Sequence, residues 1–344
     1  MRMKQVAKKA CIIGAGSWAS ALAVVLTDNG YRVTLWARNM ATVRYFESNQ
    51  SVPRLPGIVL PSSITITTNV HQALSGASLV VLAIPSSAVE PVSRDIANEL
   101  PSESFVVTAT KGFDLETLRR PSQVWIEANP SIENRLCVIS GPNFAAEIAG
   151  RLPAATVVAA SEESTRLAAQ HAFMTGYFRV YTHGDVIGVE TGGALKNVIA
   201  LACGMAQGMG AGYNAQAAII SRGIAEITRL GVSLGAQPLT FAGLSGLGDL
   251  VLTCTGHLSR NRQAGIAVGK GEPIENFLGR TGYTVEGLET VKTAMELSSA
   301  YNVQMPITNV VYRILYQNLP VRKGLFEVMS RERKPEPEEY SKLC

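Results

Sequence analysis

The first half of the chain repeats one pattern eight times: a short run of β-forming residues, often apolar throughout, commonly followed by a helical stretch. The runs are Ala10–Gly14, Arg32–Trp36, Ile64–Thr67, Leu79–Ile84, Phe105–Ala109, Leu136–Ser140, Ala155–Ala160 and Phe178–Thr182. Strands that are apolar on both faces must be covered on both faces, and strands alternating with helices pair in parallel, so the expected fold is α/β with a doubly wound sheet. From about Asp185 the strand signals stop. A helix is predicted from Val186 to Gln207 and another over Ala215–Leu230, with Asn214 as its N-cap and Gly231 just past its end. The predicted organisation is a sheet domain over residues 1–190, an all-α C-terminal domain over 191–330 and a charged, proline-containing tail over 331–344.

Length agrees with this division, since 344 residues is about two domains at roughly 150 residues each. With 47% hydrophobic and 17% charged residues the chain is too apolar for disorder, and 31 Lys+Arg against 27 Asp+Glu leave a net charge of +4, too weak to indicate nucleic-acid binding. Cys11, Cys137, Cys203, Cys254 and Cys344 are far apart, without metal-ligand spacing, which predicts a reduced, cytoplasmic setting and no metal. The basic stretch Arg2–Lys9 running into CIIGAGSWASALAVVL superficially resembles a signal peptide, but Gly14 and Gly16 break the apolar run. No stretch offers the roughly 20 uninterrupted apolar residues of a membrane span.

Gly14-Ala15-Gly16-Ser17-Trp18-Ala19 follows the first strand and opens a helix over Ser17–Thr27. In a βαβ unit this GxGxxA pattern gives a tight turn at Gly14, close backbone approach to a pyrophosphate at Gly16, and a helix start whose amides face the anion. The sheet is therefore expected to be Rossmann-type. After the second strand the usual ribose-binding acid is missing; Arg38 stands there, where a guanidinium suits a 2′-phosphate and tilts the expectation from NADH toward NADPH.

Ligands of open parallel sheets collect beyond the carboxyl ends of the strands, which singles out Lys111-Gly112 and Gly141-Pro142-Asn143. Lys111 is either a ligand for a cofactor phosphate or substrate oxygen, or a solvated lysine; Asn143 is either a ligand or an N-cap. In the helix from Val186, Lys196 is the only charge on a stripe with Val189, Gly192, Gly193, Ile199, Ala200 and Cys203. It is a candidate general acid/base, with a lysine that snorkels to solvent as the alternative. Gly192 and Gly193 leave room for a ligand or a neighbouring backbone. Asp249, after the glycines of GLSGLG, either pairs with Lys196 or caps the next segment. Ser259-Arg260-Asn261-Arg262 combines a cap, helix-start amides and a guanidinium in the manner of a phosphate cradle.

Taken together, GAGSWASALA, ATKG, ISGPNFAAEIA, GGALKNVIALACGMAQG, GLGDLVLTCT, SRNR and TVEG, in order from Ala10 to Gly324, resemble the bacterial-type NAD(P)-dependent glycerol-3-phosphate dehydrogenases. The resemblance implies reversible reduction of dihydroxyacetone phosphate to sn-glycerol 3-phosphate for glycerophospholipid synthesis, in a homodimer that neither binds nucleic acid nor inserts into a membrane. It implies Lys196 as the proton donor or acceptor, with Lys111, Gly141, Asn143, Asp249, Ser259, Arg260 and Asn261 around the substrate. It implies Ser17, Trp18, Arg38, Lys111, Ala145, Arg260 and Glu286 as cofactor contacts, beside Gly14 and Gly16. The sequence departs from the family's usual pattern at Asn143, commonly Ser or Thr, and at Ala19-Ser20, often Gly-Thr. The competing readings are a two-domain dehydrogenase of a hydroxy acid or hydroxyacyl thioester, and a nucleotide-sensing module without turnover.

Overall fold

A computed structural model describes residues 8–330 and 332 of the chain. The basic residues 2–7 and almost all of the expected tail lie outside the described residues. The chain divides into two compact units. The first holds the described residues up to Lys111 together with Pro121–Val186, and the second holds Gly112–Arg120 and the described residues from Ile187. The division thus falls four residues before the expected boundary, and a short internal segment belongs with the second unit.

In the first unit eight strands, β1 (Lys9–Ile13), β2 (Arg32–Trp36), β3 (Thr65–Thr67), β4 (Leu79–Leu82), β5 (Phe105–Thr108), β6 (Leu136–Ser140), β7 (Ala154–Ala159) and β8 (Phe178–His183), form one sheet. Its order is β3-β2-β1-β4-β5-β6-β7-β8. All neighbours pair in parallel except β6 and β7, which are antiparallel. The alternation of side chains explains why both faces are covered. β1 sends Ala10 and Ile12 into one core with Leu22, Leu26, Phe173 and Phe178. It sends Cys11 and Ile13 into another with Leu82, Trp125 and Ile132. The strand order reverses at β1, flanked by β2 and β4, which is the switch point where open sheets of this kind bind ligands.

The second unit is built around the lysine helix, Val186–Gly208, in which every residue from Gly188 to Ala206 is buried. By length and composition this helix could cross a membrane, but 89% of its most apolar window is buried inside the protein. Burial all round replaces the single apolar stripe read from the sequence, and it encloses a second charge, Glu190, besides Lys196. Two glycine pairs bring this helix against the helix Arg260–Gly269. A Cβ on Gly204 would lie 2.2 Å from Arg262 O, and one on Gly265 2.3 Å from Leu201 O. One turn along, Gly208 and Gly269 repeat the arrangement, 2.3 Å from Ile266 O and 2.2 Å from Met205 O. Only backbone occupies this crossing, so the helices pack closer than side chains would allow.

The next helix runs Tyr213–Ser233 with Gly212 at its N-cap, which corrects the expected Asn214 cap and the expected end before Gly231. Gly231 does not terminate the helix. It makes room for the ring of Phe241, whose Cζ would lie 2.1 Å from an added Cβ. The GLSGLG segment forms a wide helical turn, Leu244–Gly248, leading directly into the helix Asp249–Thr255.

Candidate active site

On the first unit the expected cofactor residues gather at the carboxyl end of the sheet. Gly14 has φ 127°, and a Cβ there would lie 2.4 Å from Ala83 O at the end of β4, so the turn demands glycine. Gly16 caps the helix Ser17–Asp28 without any side-chain hydrogen bond, and an added Cβ there would meet nothing within 4 Å. A helix start uncapped by side chains, with open space over its glycine, suits a pyrophosphate. The Ser17 hydroxyl donates to Arg54 O at 2.5 Å. Trp18 and Ala145 pack against the core on the same face of the sheet, and the buried Trp18 Nε1 has no hydrogen-bond partner among the described residues. Arg38 is exposed just past β2, beside Asn39, whose side chain accepts from Thr42 N at 3.0 Å to cap the following helix.

The loops after β5 and β6 bring further candidates together. Lys111 Nζ donates to Gly141 O at 3.3 Å. Gly141 has φ 154°, and a Cβ there would lie 2.9 Å from Thr156 Cα. Asn143 does not cap the helix Ala145–Ala149. Its amide donates to Pro142 O and Ala155 O, both at 2.9 Å. The longer amide thus reaches the neighbouring strand.

On the second unit Lys196 is 7% exposed and Asp249 is fully buried, and the two form an ion pair. Of the two alternatives left by the sequence, Asp249 takes the pairing role. Lys196 Nζ also donates to Thr253 Oγ1 at 2.9 Å, while the Thr253 hydroxyl donates to Asp249 O at 2.6 Å. Donating to the backbone leaves that oxygen able to accept from the amine. Gly192 accommodates backbone: an added Cβ would lie 2.7 Å from Ser245 O of the GLSGLG turn, which also carries the chain into Asp249.

A second knot lies beside this pair. Ser259 is the N-cap of Arg260–Gly269, its hydroxyl accepting from Arg262 N at 3.2 Å. Asn261 donates to Asn197 Oδ1 at 2.9 Å and accepts from Gly287 N at 2.9 Å. Asn197 in turn donates to Glu286 Oε2 at 3.2 Å. Arg260 keeps a side chain 41% exposed, 3.9 Å from Glu286 Oε1. Sequence reasoning missed Thr253 and Asn197. Thr253 lies one turn after Asp249, on the same helix face, and Asn197 is adjacent to Lys196, so i,i+4 spacing and adjacency were the available signals.

Cys11, Cys137, Cys203 and Cys254 are buried free thiols. Burial pushes Cys11 and Cys137 up to about 12. A hydrogen bond with Cys203, then burial, raises Cys254. Cys344 lies outside the described residues.

A mostly parallel sheet with a glycine turn at its switch point, joined in one chain to a helical unit holding an enclosed lysine–aspartate pair, fits the class of the nicotinamide-dependent dehydrogenases. Residues 9–166 match the N-terminus, and residues 185–325 the C-terminus, of the NAD-dependent glycerol-3-phosphate dehydrogenases, and the chain belongs to that family. It is 48% identical over 329 residues to the NAD(P)+ glycerol-3-phosphate dehydrogenase of Moorella thermoacetica, covering 95% of this chain and 97% of that one. A Mycobacterium tuberculosis enzyme of the same name is 45% identical over 335 residues, covering 97% and 100%. A solved glycerol-3-phosphate dehydrogenase from Coxiella burnetii superposes with a TM-score of 0.90 at 33% identity, over 94% of this chain and 99% of that one. The chain is accordingly an NAD(P)-dependent oxidoreductase acting on glycerol 3-phosphate, and the competing hydroxy-acid reading has no support among these relatives.

Proposed function

We propose that Lys196 is the acid/base of the interconversion of dihydroxyacetone phosphate and sn-glycerol 3-phosphate. The bound nicotinamide supplies or removes the hydride at the central carbon. In the direction of reduction the Lys196 ammonium gives a proton to the carbonyl oxygen, and its charge stabilises the alkoxide as it develops. Asp249 and Thr253 hold the amine so that its direction is fixed before substrate arrives. Arg260, with the helix-start amides near Asn261, holds the phosphate, whose remote binding energy fixes the reacting carbon. Ser259 caps that helix start, and Asn261 ties it to the lysine helix through Asn197. Lys111 and the Gly141–Asn143 turn contribute substrate contacts. Gly14, Gly16, Ser17, Trp18, Arg38 and Ala145 hold the dinucleotide, with Lys111, Arg260 and Glu286 as further contacts.

The observation that carries this reading is the enclosed Lys196–Asp249 pair beside an exposed guanidinium at a helix start. A substrate panel followed at the reduced-nicotinamide absorbance tests it. Turnover is expected with dihydroxyacetone phosphate and not with unphosphorylated 2-keto acids or acyl thioesters; the reverse pattern contradicts it.

We also propose NADPH as the preferred cofactor, on the strength of Arg38 and the missing acid after β2. A charged hydrogen bond to a phosphate is worth about 1.5–3 kcal/mol, so Arg38→Ala is expected to lower kcat/KM for NADPH roughly tenfold or more while leaving NADH within about twofold. Equal losses with both cofactors would remove Arg38 from this role. The proposed setting is cytoplasmic, as a homodimer acting on a free small molecule for glycerophospholipid synthesis, without nucleic acid or membrane insertion. Four buried free thiols agree with a reducing compartment.

A further inference from the structure

The chain leaves the first unit after Lys111, spends Gly112–Arg120 in the second, and returns at Pro121. This excursion is a closed loop. Asp114 N donates to Arg119 O at 2.8 Å, and the Asp114 carboxylate accepts from Thr117 N at 2.8 Å and Thr117 Oγ1 at 2.6 Å. Phe113, 2% exposed, belongs to the core of the second unit, and Leu118 packs against it. At the far end of the loop Arg120 Nη1 donates to Glu190 Oε2 at 2.7 Å, with the Glu190 side chain 1% and the Arg120 side chain 14% exposed. Glu190 lies on the lysine helix, six positions before Lys196. At the near end Thr110 Oγ1 donates to Ile84 O at 2.9 Å. Lys111 is therefore flanked along the chain by Thr110 on one side and, on the other, by a loop anchored through the buried Phe113 and through Arg120.

A buried ion pair adds little net stability compared with apolar residues of the same volume, but its geometry fixes which groups meet. We propose that Arg120 and Glu190 are positioning residues for the reaction. By anchoring the loop to the helix that carries Lys196, they hold Lys111 where it meets the substrate's oxygens. This rests on the reading of Lys111 as a substrate contact.

The test is a double-mutant cycle on kcat/KM for dihydroxyacetone phosphate, with Glu190→Gln made in the unsubstituted protein and in Lys111→Ala. A pair acting through Lys111 has nothing left to position once that amine is gone. Glu190→Gln is expected to lower kcat/KM at least about fivefold in the first background, mainly through KM, and less than about twofold in the second. Equal fold-losses in both backgrounds, or no loss in the first, overturn the proposal. If Lys111→Ala alone leaves kcat/KM unchanged, the failure lies with Lys111 as a site residue, and the proposal falls with it. Should Glu190→Gln not fold, Arg120→Lys, which keeps the charge but loses the planar fork, enters the same cycle with the same expectations.

Discussion

Replacing Lys196 by Ala is expected to lower kcat for dihydroxyacetone phosphate reduction by about 10²-fold or more, the usual range for a lost acid/base group. Cofactor affinity should stay within about twofold, because Lys196 is not among the proposed cofactor contacts. The substitution also strands Asp249, which is fully buried, and an uncompensated buried charge costs about 3–5 kcal/mol. Turnover must therefore be compared in folded protein, with cofactor binding as the check. The double variant Lys196→Met with Asp249→Asn removes the charge of both partners while keeping volume. It should recover much of the lost stability and none of the lost turnover. A folded Lys196→Ala protein with unchanged kcat would leave the proton transfer without its donor.

Gly204→Ala is expected to be among the most damaging single-methyl changes in the molecule. The added Cβ would lie 2.2 Å from Arg262 O and 2.9 Å from Gly265 Cα, so two helix backbones must move apart, since no side-chain rotamer can relieve the contact. Overpacking of a core costs about 1–3 kcal/mol, and a clash against backbone belongs at or above the upper end. At roughly 2–4 °C per kcal/mol for a unit of this size, the melting temperature should fall by about 6–12 °C. The separation would also carry Arg260 and Asn261 away from the lysine helix, raising KM for the phosphorylated substrate. Gly279→Ala is the contrast: its Cβ meets nothing within 4 Å, and within a helix the exchange should stabilise by about 0.5–1 kcal/mol. A Gly204→Ala protein as stable as Gly279→Ala would contradict the close crossing.

What the sequence made legible follows from which interactions are local. All eight strands were readable: inner strands such as β4 and β6 are buried on both faces and apolar without interruption, whereas β2, β3 and β8 show through their β-branched and aromatic residues, and β2 and β6 match their expected bounds. Gly14 and Gly16 were readable because a strand, a tight turn and a helix follow one another directly along the chain. Helix ends were less legible. Gly231 reads as a terminator, but it lies within the helix because Phe241, ten residues later, needs its space. The glycines at 204, 208, 265 and 269 carried no local signal of their contact, which is visible only once the two helices are placed together. The partner of Lys196 was one of two options at Asp249. Arg120 and Glu190 gave no signal, since nothing in sequence relates residues 70 positions apart.

The proposed step is delivery of a proton by one enclosed amine to the carbonyl oxygen of a phosphorylated three-carbon ketone. Its most direct measurement is single-turnover oxidation of NADPH by dihydroxyacetone phosphate in folded Lys196→Ala, titrated with small primary ammonium ions that can enter the vacated space. The expected rate starts at least about 10²-fold below that of the unsubstituted protein and rises with ammonium concentration. A rate equal to that of the unsubstituted protein without any added amine would contradict it.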